Sequence, residues 1–465
     1  MKICILQPDY SQSTVDYRHY DPPRHLAPLV PDWQVDEVYL RKTTVYAQLA
    51  ALQHAGYDCF VNLCEGYLEW DVPSIDVIHS LAMLNLPHTG PTASLYDPPK
   101  PVMKYAAYSC GVATPASALL RKGCDIITET RSLRYPLFVK PAKAGDSLGV
   151  DEHSLVATGG DAIRQCEILF RDYEEVLAEE YVAGREFTVL VAANADGGCE
   201  AFLPVEYVFP QGTAYKTYAL KTSALHPGAN VPCTDAALDS ALCDAACRIF
   251  TTFGGVGYAR MDFRVDDTGT PWFLELNFTC SVFYSGNERG SADYILEYDG
   301  IGQAGFLHRI VEEGISRHRS KQPLHEIVQN GLQGYGIRAR RDITVGELIF
   351  KGEGRNHRLV TRAYIEREWS AEQKEEFYRY AISLGNGIYI LWSDNPCDWA
   401  PQNHSCSPNT GYRGLDVIAL RAIECGEELT LDYAQISDEF SSPFECTCGS
   451  DSCRGIIRGG SGLRV

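Results

Sequence analysis

Several features that would place the chain in a special class are missing from the sequence. No apolar run is long enough to cross a membrane, and neither an internal repeat nor a low-complexity tract is present. These absences argue against a membrane-spanning protein, a repeat protein and a disordered one. The apolar start, Ile3 to Leu6, is too short for a signal peptide and instead predicts a first β-strand. We therefore expect a cytoplasmic protein, with a nuclear location left open.

Positive charge is also in short supply. The chain has 41 Lys and Arg residues against 61 Asp and Glu residues, which gives a net charge of -20. Such a balance disfavours nonspecific binding to nucleic acid or to an anionic membrane, so neither is expected as a partner. The 17 cysteines are an odd number, and many of them lie inside apolar runs. That pattern is typical of reduced thiols in a reducing compartment.

The length of 465 residues suggests two to four domains. A strand, a helix over Thr43 to Ala55 and a second strand predict a small α/β domain with a mostly parallel sheet. The segment from Tyr10 to Asp36 is rich in Pro, Asp and His and is interpreted as an inserted loop. A proline-rich hinge at residues 97–101 and a polar, aperiodic segment at residues 317–323 indicate domain boundaries. The predicted domains are 1–97, 98–320, a β-rich 323–440 and a tail, 441–465.

The segment from Gly257 to Ser281 predicts a β-hairpin, because apolar residues alternate on both sides of a turn at residues 266–269. Asp262, Glu275 and Asn277 then lie on strands that can face each other. Two carboxylates and an amide oxygen are hard ligands of the kind that hold Mg²⁺ against nucleotide phosphates. Arg260 adds a fixed positive charge beside them. A solvated acidic hairpin is the alternative interpretation.

Two further segments fit a nucleotide site. Lys140 ends a predicted buried strand and precedes a loop of small residues that contains Ser147, whose backbone could approach phosphate oxygens. The sequence from Glu179 to Thr188 places acidic residues on either side of an apolar step, which suits an adenine edge and ribose hydroxyls. Each segment alone is weak evidence.

Together, and in this order, these blocks resemble the ATP-grasp superfamily, most closely the D-alanine:D-alanine ligase branch, over roughly residues 1–319. The resemblance implies an ATP-grasp fold, with an α/β N-terminal domain and two α+β lobes. It also implies residue roles. ATP would contact Lys104, Lys140, Ser147, Glu179, Val182, Glu186 and Lys221; Mg²⁺ would be held by Asp262, Glu275 and Asn277; and Arg260 would face the acyl phosphate and the tetrahedral intermediate.

The reaction implied is activation of a carboxylate as an acyl phosphate, followed by attack of an amine. Three departures from the ligases bear on the substrate. Asp146 stands where they have a serine, Phe278 to Val282 replaces the Pro-Gly turn that holds their acceptor, and their glycine-rich N-terminal loop is missing. Dipeptide formation from D-alanine is therefore not implied, and the expected partners are small carboxylate and amine substrates.

The C-terminal part contains a second set of motifs. The sequence NHSCSPN occupies residues 403–409, a Leu-Asp-Tyr step ends at Tyr433, and Cys446, Cys448 and Cys453 follow in C-x-C-x₄-C spacing. Three such thiolates can surround one tetrahedral Zn²⁺ ion if a fourth is supplied, and Cys406 is the candidate. Free or disulfide-paired surface cysteines are the alternative.

These motifs resemble the SET-domain lysine methyltransferases that carry a post-SET zinc motif, over roughly residues 323–455. The resemblance implies that S-adenosylmethionine contacts Gly334, Tyr335, Gly336, Asn403 and His404, and that Tyr433 is catalytic. No cysteine-rich pre-SET region precedes the domain, and the insert between its halves is small. Both regions normally help to dock a histone peptide, so histone specificity is not implied.

The sequence thus predicts a ligase fused to an N-methyltransferase that uses ATP, Mg²⁺, S-adenosylmethionine and Zn²⁺. Two alternatives stay open at this point. One is a protein-lysine methyltransferase with a non-catalytic ATP-grasp module, and the other is a ligase whose SET domain is structural. A protein-lysine substrate and a homodimer are further expectations.

Overall fold

A parallel sheet of three strands, in the order β2-β1-β3, opens the fold. The computed structural model describes residues 1–13, 21–65, 71–143, 148–209, 215, 227–330, 334–460 and 462–463. The first elements are β1 (Lys2–Pro8), β2 (Gln34–Leu40), α1 (Val45–Leu52), β3 (Cys59–Asn62) and α2 (Ile75–Met83). Successive β1 side chains point to opposite faces, so Ile3 and Ile5 enter one hydrophobic core and Cys4 and Leu6 another. Both faces of the strand are covered, as the run of apolar residues indicates.

The structure corrects the prediction that Tyr10 to Asp36 is an unpacked loop. Strand β2 begins at Gln34 and pairs with β1 from end to end. Earlier in the segment, Arg24, Leu26 and Val30 are buried. The strand was missed because its charged residues lie at the edge of the sheet, where partial exposure hides the usual apolar alternation.

The next lobe contains a four-stranded antiparallel sheet in the order β4-β7-β5-β6. Its elements are α3 (Lys100–Ser109), β4 (Ser117–Arg121), α4 (Ile126–Thr130), β5 (Leu137–Pro141), β6 (Leu155–Val156), α5 (Gly159–Leu169) and β7 (Glu175–Glu180). Helix α5 begins after Thr158, whose hydroxyl accepts a hydrogen bond from the backbone N–H of Asp161 and so caps the helix. The apolar face of α5 packs on the sheet.

A second antiparallel sheet, in the order β11-β10-β8-β12-β13 with β9 paired to β8, forms the centre of the other lobe. Its elements are β8 (Arg185–Ala193), β9 (Cys199–Ala201), β10 (Val205–Tyr207), β11 (Asn230–Pro232), α6 (Ala236–Thr252), β12 (Tyr258–Val265), β13 (Pro271–Asn277), α7 (Ser291–Asp299) and α8 (Gly302–Lys321). The hairpin predicted from the sequence is confirmed as β12 and β13. Helix α6 covers one face of this sheet through Leu242, Ile249 and Phe250.

Helix α8 corrects a second prediction, because it continues to Lys321 through the segment that was interpreted as an aperiodic linker. Arg317 explains the difference. Its side chain is buried, forms a 2.8 Å ion pair with Glu313 one turn earlier, and donates to the carbonyl oxygens of His88 at 2.7 Å and Gly90 at 3.1 Å. Arg317 therefore belongs to the packed side of the helix, whereas Arg319, Ser320 and Lys321 are exposed.

The chain divides into two compact units, Met1–Ser320 and Lys321–Val465. The second unit is rich in short strands, with a core formed by residues such as Ile337, Val417 and Leu429. Its strands are β14 (His325–Asn330), β15 (Gly334–Ala339), β16 (Leu348–Phe350), β17 (His357–Thr361), β18 (Ile382–Ser383), β19 (Ile388–Trp392), β20 (Asn403–His404), β21 (Thr410–Arg413), β22 (Asp416–Ala419), β23 (Thr430–Leu431), β24 (Phe444–Glu445) and β25 (Ile456–Ile457).

The helices of this unit are α9 (Arg362–Glu368), α10 (Ala371–Tyr380) and α11 (Tyr433–Ile436). The sequence pattern of this unit also predicts one helix from Ser370 to Leu384, and the structure shows that this prediction is too long. Ser370 does cap α10, but Ile382 and Ser383 pair with β19 and end the helical run. Over the residues that are described in both units, no helix combines the length and apolar character needed to cross a membrane.

Candidate active sites

The β12–β13 hairpin places the predicted metal ligands side by side. Asp262 lies directly opposite Glu275 in the strand register, and Arg260 lies opposite Asn277. Arg260, Asp262 and Arg264 share one face of β12, while Ala259, Met261 and Phe263 on the other face enter the core. The Arg260 guanidinium is 3.7 Å from the Asp262 carboxylate. Two carboxylates and an amide oxygen at adjacent positions fit the hard-ligand chemistry of Mg²⁺.

A buried carboxylate on β7 connects two of the predicted ATP lysines. Glu179 forms ion pairs with Lys140 at 2.6 Å and with Lys104 at 2.8 Å, and all three residues are less than 8% exposed. Burial by itself raises the pKa of Glu179, but the two lysines outweigh burial and lower it to about 2. Burial lowers the pKa of Lys140, and the carboxylates of Glu179 and Glu275 more than compensate, so its pKa is raised. These charges are thus held ionised in a low-dielectric setting.

A third lysine, Lys100, was not predicted and is nearer to the metal ligands. It occupies the first turn of α3 and lies 3.6 Å from Glu275. Burial lowers the pKa of Lys100, with Glu275 opposing that shift. The sequence Pro-Pro-Lys-Pro at residues 98–101 could have indicated this position. Proline is favoured in the first turn of a helix, so these prolines mark the start of α3 and place Lys100 in its first turn.

Most of these side chains line one cavity. Its walls are formed by Lys100, Phe138, Lys140, Pro141, Leu148, Val150, Glu179, Glu180, Tyr181, Val182, Glu186, Tyr215, Asp262, Arg264, Leu274 and Glu275. Among the predicted residues, Lys104 is not part of the wall; its ammonium group donates to Thr114 and to the carbonyl oxygen of Pro115. Ser147 and Lys221 lie outside the described residues.

Arg264 is a cavity residue that the sequence reasoning missed. Its guanidinium donates to Glu186 at 3.1 Å and to Tyr181 at 3.2 Å, and it is buried. Arg264 thereby fixes two residues of the wall near the predicted ribose contact. The period of two along β12 could have found it, because Arg264 must share the face of Asp262.

In the second unit, the predicted S-adenosylmethionine residues meet around β20. The Asn403 side chain donates to Glu428 at 2.7 Å. A Cβ atom on Gly336 would lie 2.6 Å from Glu428 Oε1 and 2.7 Å from Asn403 Nδ2, so a larger residue would displace these two side chains. Tyr335 is partly exposed on β15, where it follows Gly334. The structure thus brings Gly336 and Asn403 into direct proximity.

His404 links this group to Tyr433. Its Nδ1 atom accepts a hydrogen bond from the backbone N–H of Tyr433 at 3.1 Å, and burial lowers the pKa of the imidazole. The Tyr433 hydroxyl donates to the carbonyl oxygen of Gln402 at 2.7 Å. This bond fixes the direction of the hydroxyl and points its oxygen lone pairs away from Gln402.

Four cysteines converge beside His404. The sulfur atoms of Cys406, Cys446, Cys448 and Cys453 all lie within 4.8 Å of one another. Those of Cys406 and Cys446 are 3.8 Å apart, which matches the about 3.8 Å between sulfurs of a tetrahedral Zn²⁺ site with 2.3 Å bonds. Backbone N–H groups that point at its sulfur lower the pKa of Cys448 to about 6, which favours the thiolate form that metal binding requires. The residues present fit Zn²⁺.

Comparison with known proteins identifies the first unit. The family described as D-ala D-ala ligase C-terminus matches residues 114–282. The D-alanine–D-alanine ligase of Bordetella petrii is 33% identical over 236 residues, a match that covers 49% of this chain and 68% of that ligase. The chain belongs to the D-alanine–D-alanine ligase family. A second ligase of this family, from Syntrophotalea carbinolica, is 36% identical over 203 residues, or 42% of this chain and 61% of the relative.

The fold is that of the same ligase family. The crystal structure of D-alanine–D-alanine ligase from Bacillus anthracis complexed with ATP matches with a TM-score of 0.52 and 18% identity, covering 69% of this chain and all of that one. The first unit therefore has the predicted ATP-grasp fold. The SET domain family matches residues 334–434, so the chain carries a SET domain that lies outside the match to the ligase family. Cys446, Cys448 and Cys453 follow this match, and Cys406 lies within it.

Proposed function

We propose that the chain is a bifunctional enzyme, in which an ATP-dependent carboxylate–amine ligase is joined to an S-adenosylmethionine-dependent SET N-methyltransferase. The observation that carries the ligase half is the pairing of Asp262 with Glu275 on the wall of a cavity that Lys100 and Lys140 also line. Membership of the D-alanine–D-alanine ligase family supports the reaction type.

Different residues of the first unit would have different roles in carboxylate activation. Asp262, Glu275 and Asn277 would hold Mg²⁺, which offsets charge on the transferring phosphoryl group. Lys100 and Lys140 place positive charge on the wall where phosphates would lie, and Val182 with Glu186 would contact adenine and ribose. Arg260, beside Asp262, would stabilise the oxyanion that develops when the amine attacks the acyl phosphate.

The D-alanine specificity of the relatives is not part of the proposal. The segment after Asn277 carries Cys280 and Ser281 instead of a Pro-Gly turn. The Asn277 side-chain oxygen already accepts a 2.8 Å hydrogen bond from the backbone of Thr279, so this segment has a turn of its own. The expected substrates are a small carboxylate and an amine.

In the SET domain, S-adenosylmethionine would supply the methyl group. Gly336, Asn403 and His404 form the proposed binding residues, because they meet around β20. Tyr433 would orient the acceptor amine through its fixed hydroxyl. Zn²⁺ held by the four cysteines would order the tail beside His404.

Two assays on the full-length protein test the two halves separately. ADP release is measured with MgATP and individual amino acids, and S-adenosylhomocysteine is measured with the ligation mixture or with a basic protein tail as acceptor. ADP release that depends on an amino acid supports the ligase. Methylation of a basic protein without any ADP release would instead favour a protein-lysine methyltransferase with a non-catalytic ATP-grasp module. A chain that ligates but makes no S-adenosylhomocysteine would indicate a structural SET domain.

A further inference from the structure

Three cysteines lie where β9 contacts α6. Cys199 is the first residue of β9, and Cys243 and Cys247 are one turn apart on the helix. The Cys199 sulfur atom is 3.9 Å from the carbonyl oxygen of Cys247 and 3.7 Å from the hydroxyl oxygen of Thr251, one turn further along α6. The Cys199 side chain therefore contacts α6 between these two residues.

The thiol of Cys247 points back at β9. It forms a hydrogen bond with the Cys199 thiol, and its sulfur accepts a hydrogen bond from the backbone N–H of Ala201. Both cysteines are partly buried and pack against the core between α6 and the sheet. Each sulfur atom thus has the other as a neighbour, and both residues stay partly accessible to solvent.

The surroundings of the two sulfur atoms favour a thiolate at Cys199. Hydrogen bonds from Cys247 and Thr251 outweigh burial and lower the pKa of Cys199 to about 6. The contact with Cys199 raises the pKa of Cys247, so the helix thiol keeps its proton. Cys243 differs, because burial and its 3.3 Å hydrogen bond to Asp239 raise its pKa to about 12. A thiolate beside a protonated thiol is the arrangement found in cysteine pairs that react with oxidants.

We propose that Cys199 is a site of oxidation by hydrogen peroxide, and that Cys247 converts the product to a disulfide that links β9 to α6. In the first step the Cys199 thiolate attacks a peroxide oxygen, the O–O bond breaks, and the released hydroxide takes up a proton. In the second step the Cys247 sulfur attacks the sulfenic acid on Cys199. The S–O bond breaks, and the hydroxyl leaves as water with the proton of Cys247. Two thiols and one peroxide thus give one disulfide and two waters.

The disulfide would restrain the lobe that carries the proposed metal ligands. Strand β9 pairs with β8, β8 pairs with β12, and α6 packs on the same sheet. Cys199 and Cys247 are 48 positions apart in the sequence, so a bond between them removes much of the freedom of the opened lobe. Separation of β9 from α6 should therefore become rarer after oxidation. This inference is independent of both proposed enzymatic reactions.

The test uses the full-length protein, freed of reductant and treated with a stoichiometric amount of hydrogen peroxide. Free thiols are then blocked with N-ethylmaleimide. Digestion with trypsin and a protease that cleaves before aspartate places Cys199, Cys243 and Cys247 on separate peptides. Mass spectrometry should show the Cys199 and Cys247 peptides joined, and dithiothreitol should separate them. A Cys199 that stays a free thiol, or that joins Cys243 instead, would contradict the proposal.

Variants assign the two roles. In Cys247→Ser the sulfenic acid has no resolving thiol, so dimedone should label Cys199. Cys199→Ser should abolish the cross-link and leave Cys247 unlabelled. Cys124→Ser is the matched control, because Cys124 is also partly buried but packs against the core of the other lobe, and the cross-link should persist. Dimedone labelling of Cys247 in Cys199→Ser would overturn the assignment.

Thiol reactivity checks the attacking group without any variant. In the reduced protein, iodoacetamide should alkylate Cys199 faster than Cys243 by about tenfold or more, because the thiolate is the nucleophile. Equal rates would show that Cys199 is not the activated thiol, and the proposal would then be wrong.

Hydrogen exchange tests the restraint. Peptides from β9 and α6 should exchange at least about tenfold more slowly in the oxidised protein than in the reduced one. Dithiothreitol should restore the original rates, and Cys247→Ser treated in the same way should show no slowing. Unchanged or faster exchange in the cross-linked protein would show that the disulfide does not hold β9 against α6.

Discussion

Replacing the buried carboxylate of Glu179 by an amide should destabilise the first unit strongly. Glu179 lies between Lys104 and Lys140, and it is 3% exposed. Glu179→Gln would leave both lysines buried without this carboxylate. Breaking a buried ion pair from one side costs about 3–5 kcal/mol. The fall of the Glu179 pKa from 4.5 to about 2 has the same sign, because it means that the ionised carboxylate stabilises the fold.

Linkage gives the same prediction a pH dependence. The pKa of Glu179 is lower in the folded protein than in the unfolded chain, so its stabilisation is complete above about pH 4.5 and is lost as the pH falls toward 2. The difference in stability between wild type and Glu179→Gln should therefore be largest near neutral pH and shrink in acid. A difference that grows on acidification would contradict the sign of the pKa shift.

The measurement should report on the lobe itself, because a chain with several cores need not unfold in one step. Hydrogen exchange of peptides from β5 and β7 gives the opening free energy of their sheet. Glu180→Gln is the matched control, since Glu180 is the next residue of β7 and pairs with an exposed Arg134; it should cost no more than about 1 kcal/mol. If Glu179→Gln also costs less than about 1 kcal/mol, the buried network is not stabilising and the reasoning is wrong.

Three further predictions concern the two active sites. Asp262→Asn should lower ADP release by several orders of magnitude without changing thermal stability, because it removes charge from the metal site; near-normal release would contradict the assignment. Protein purified without added metal should contain about one zinc per chain by elemental analysis, and Cys448→Ser should lose it and make the tail sensitive to protease; a zinc-free, resistant tail would show that the cysteines are not ligands. Tyr433→Phe should cut S-adenosylhomocysteine formation sharply and leave ADP release intact, and a parallel loss of ADP release would show that the hydroxyl acts on the fold instead.

The hairpin was predictable because its information is local. Alternation along β12 and β13 indicates which side chains share a face. A register shift between Asp262 and Phe263 then brings Asp262 opposite Glu275, and only the structure shows that shift. The zinc cluster was also predictable, because a tetrahedral site needs four ligands and the three closely spaced cysteines required one more thiolate. Short-range spacing brings Cys446, Cys448 and Cys453 together, whereas Cys406 is 40 residues before Cys446 and was proposed as the fourth ligand on chemical grounds.

The sequence-based predictions failed for residues whose position depends on contacts with residues distant in sequence. Lys100 and Lys104 are one helical turn apart on α3, so both can face the lobe, and only the fold shows that Lys100 lines the cavity. Arg24 lies in a segment with the composition of a loop, and its burial depends on partners such as Glu65 that are distant in sequence. Arg317 was assigned to a linker because its segment is polar and shows no apolar periodicity. The helix continues there because Arg317 pairs with Glu313 and donates to the carbonyl oxygen of His88.

The length of α8 determines where the two units can be separated for study. The helix ends at Lys321 and β14 begins at His325, so three residues connect them. A fragment cut at residue 316, where the polar composition invites a boundary, would lose the Arg317 bonds to His88 and Gly90 along with the last turn of the helix. An isolated ligase should therefore keep the whole helix, and limited proteolysis should leave this junction intact while it cuts elsewhere. A flexible spacer inserted after Lys321 would lengthen the connection and leave both proposed sites unchanged. Comparing ADP release and S-adenosylhomocysteine formation before and after the insertion would test whether the two proposed reactions depend on the short connection.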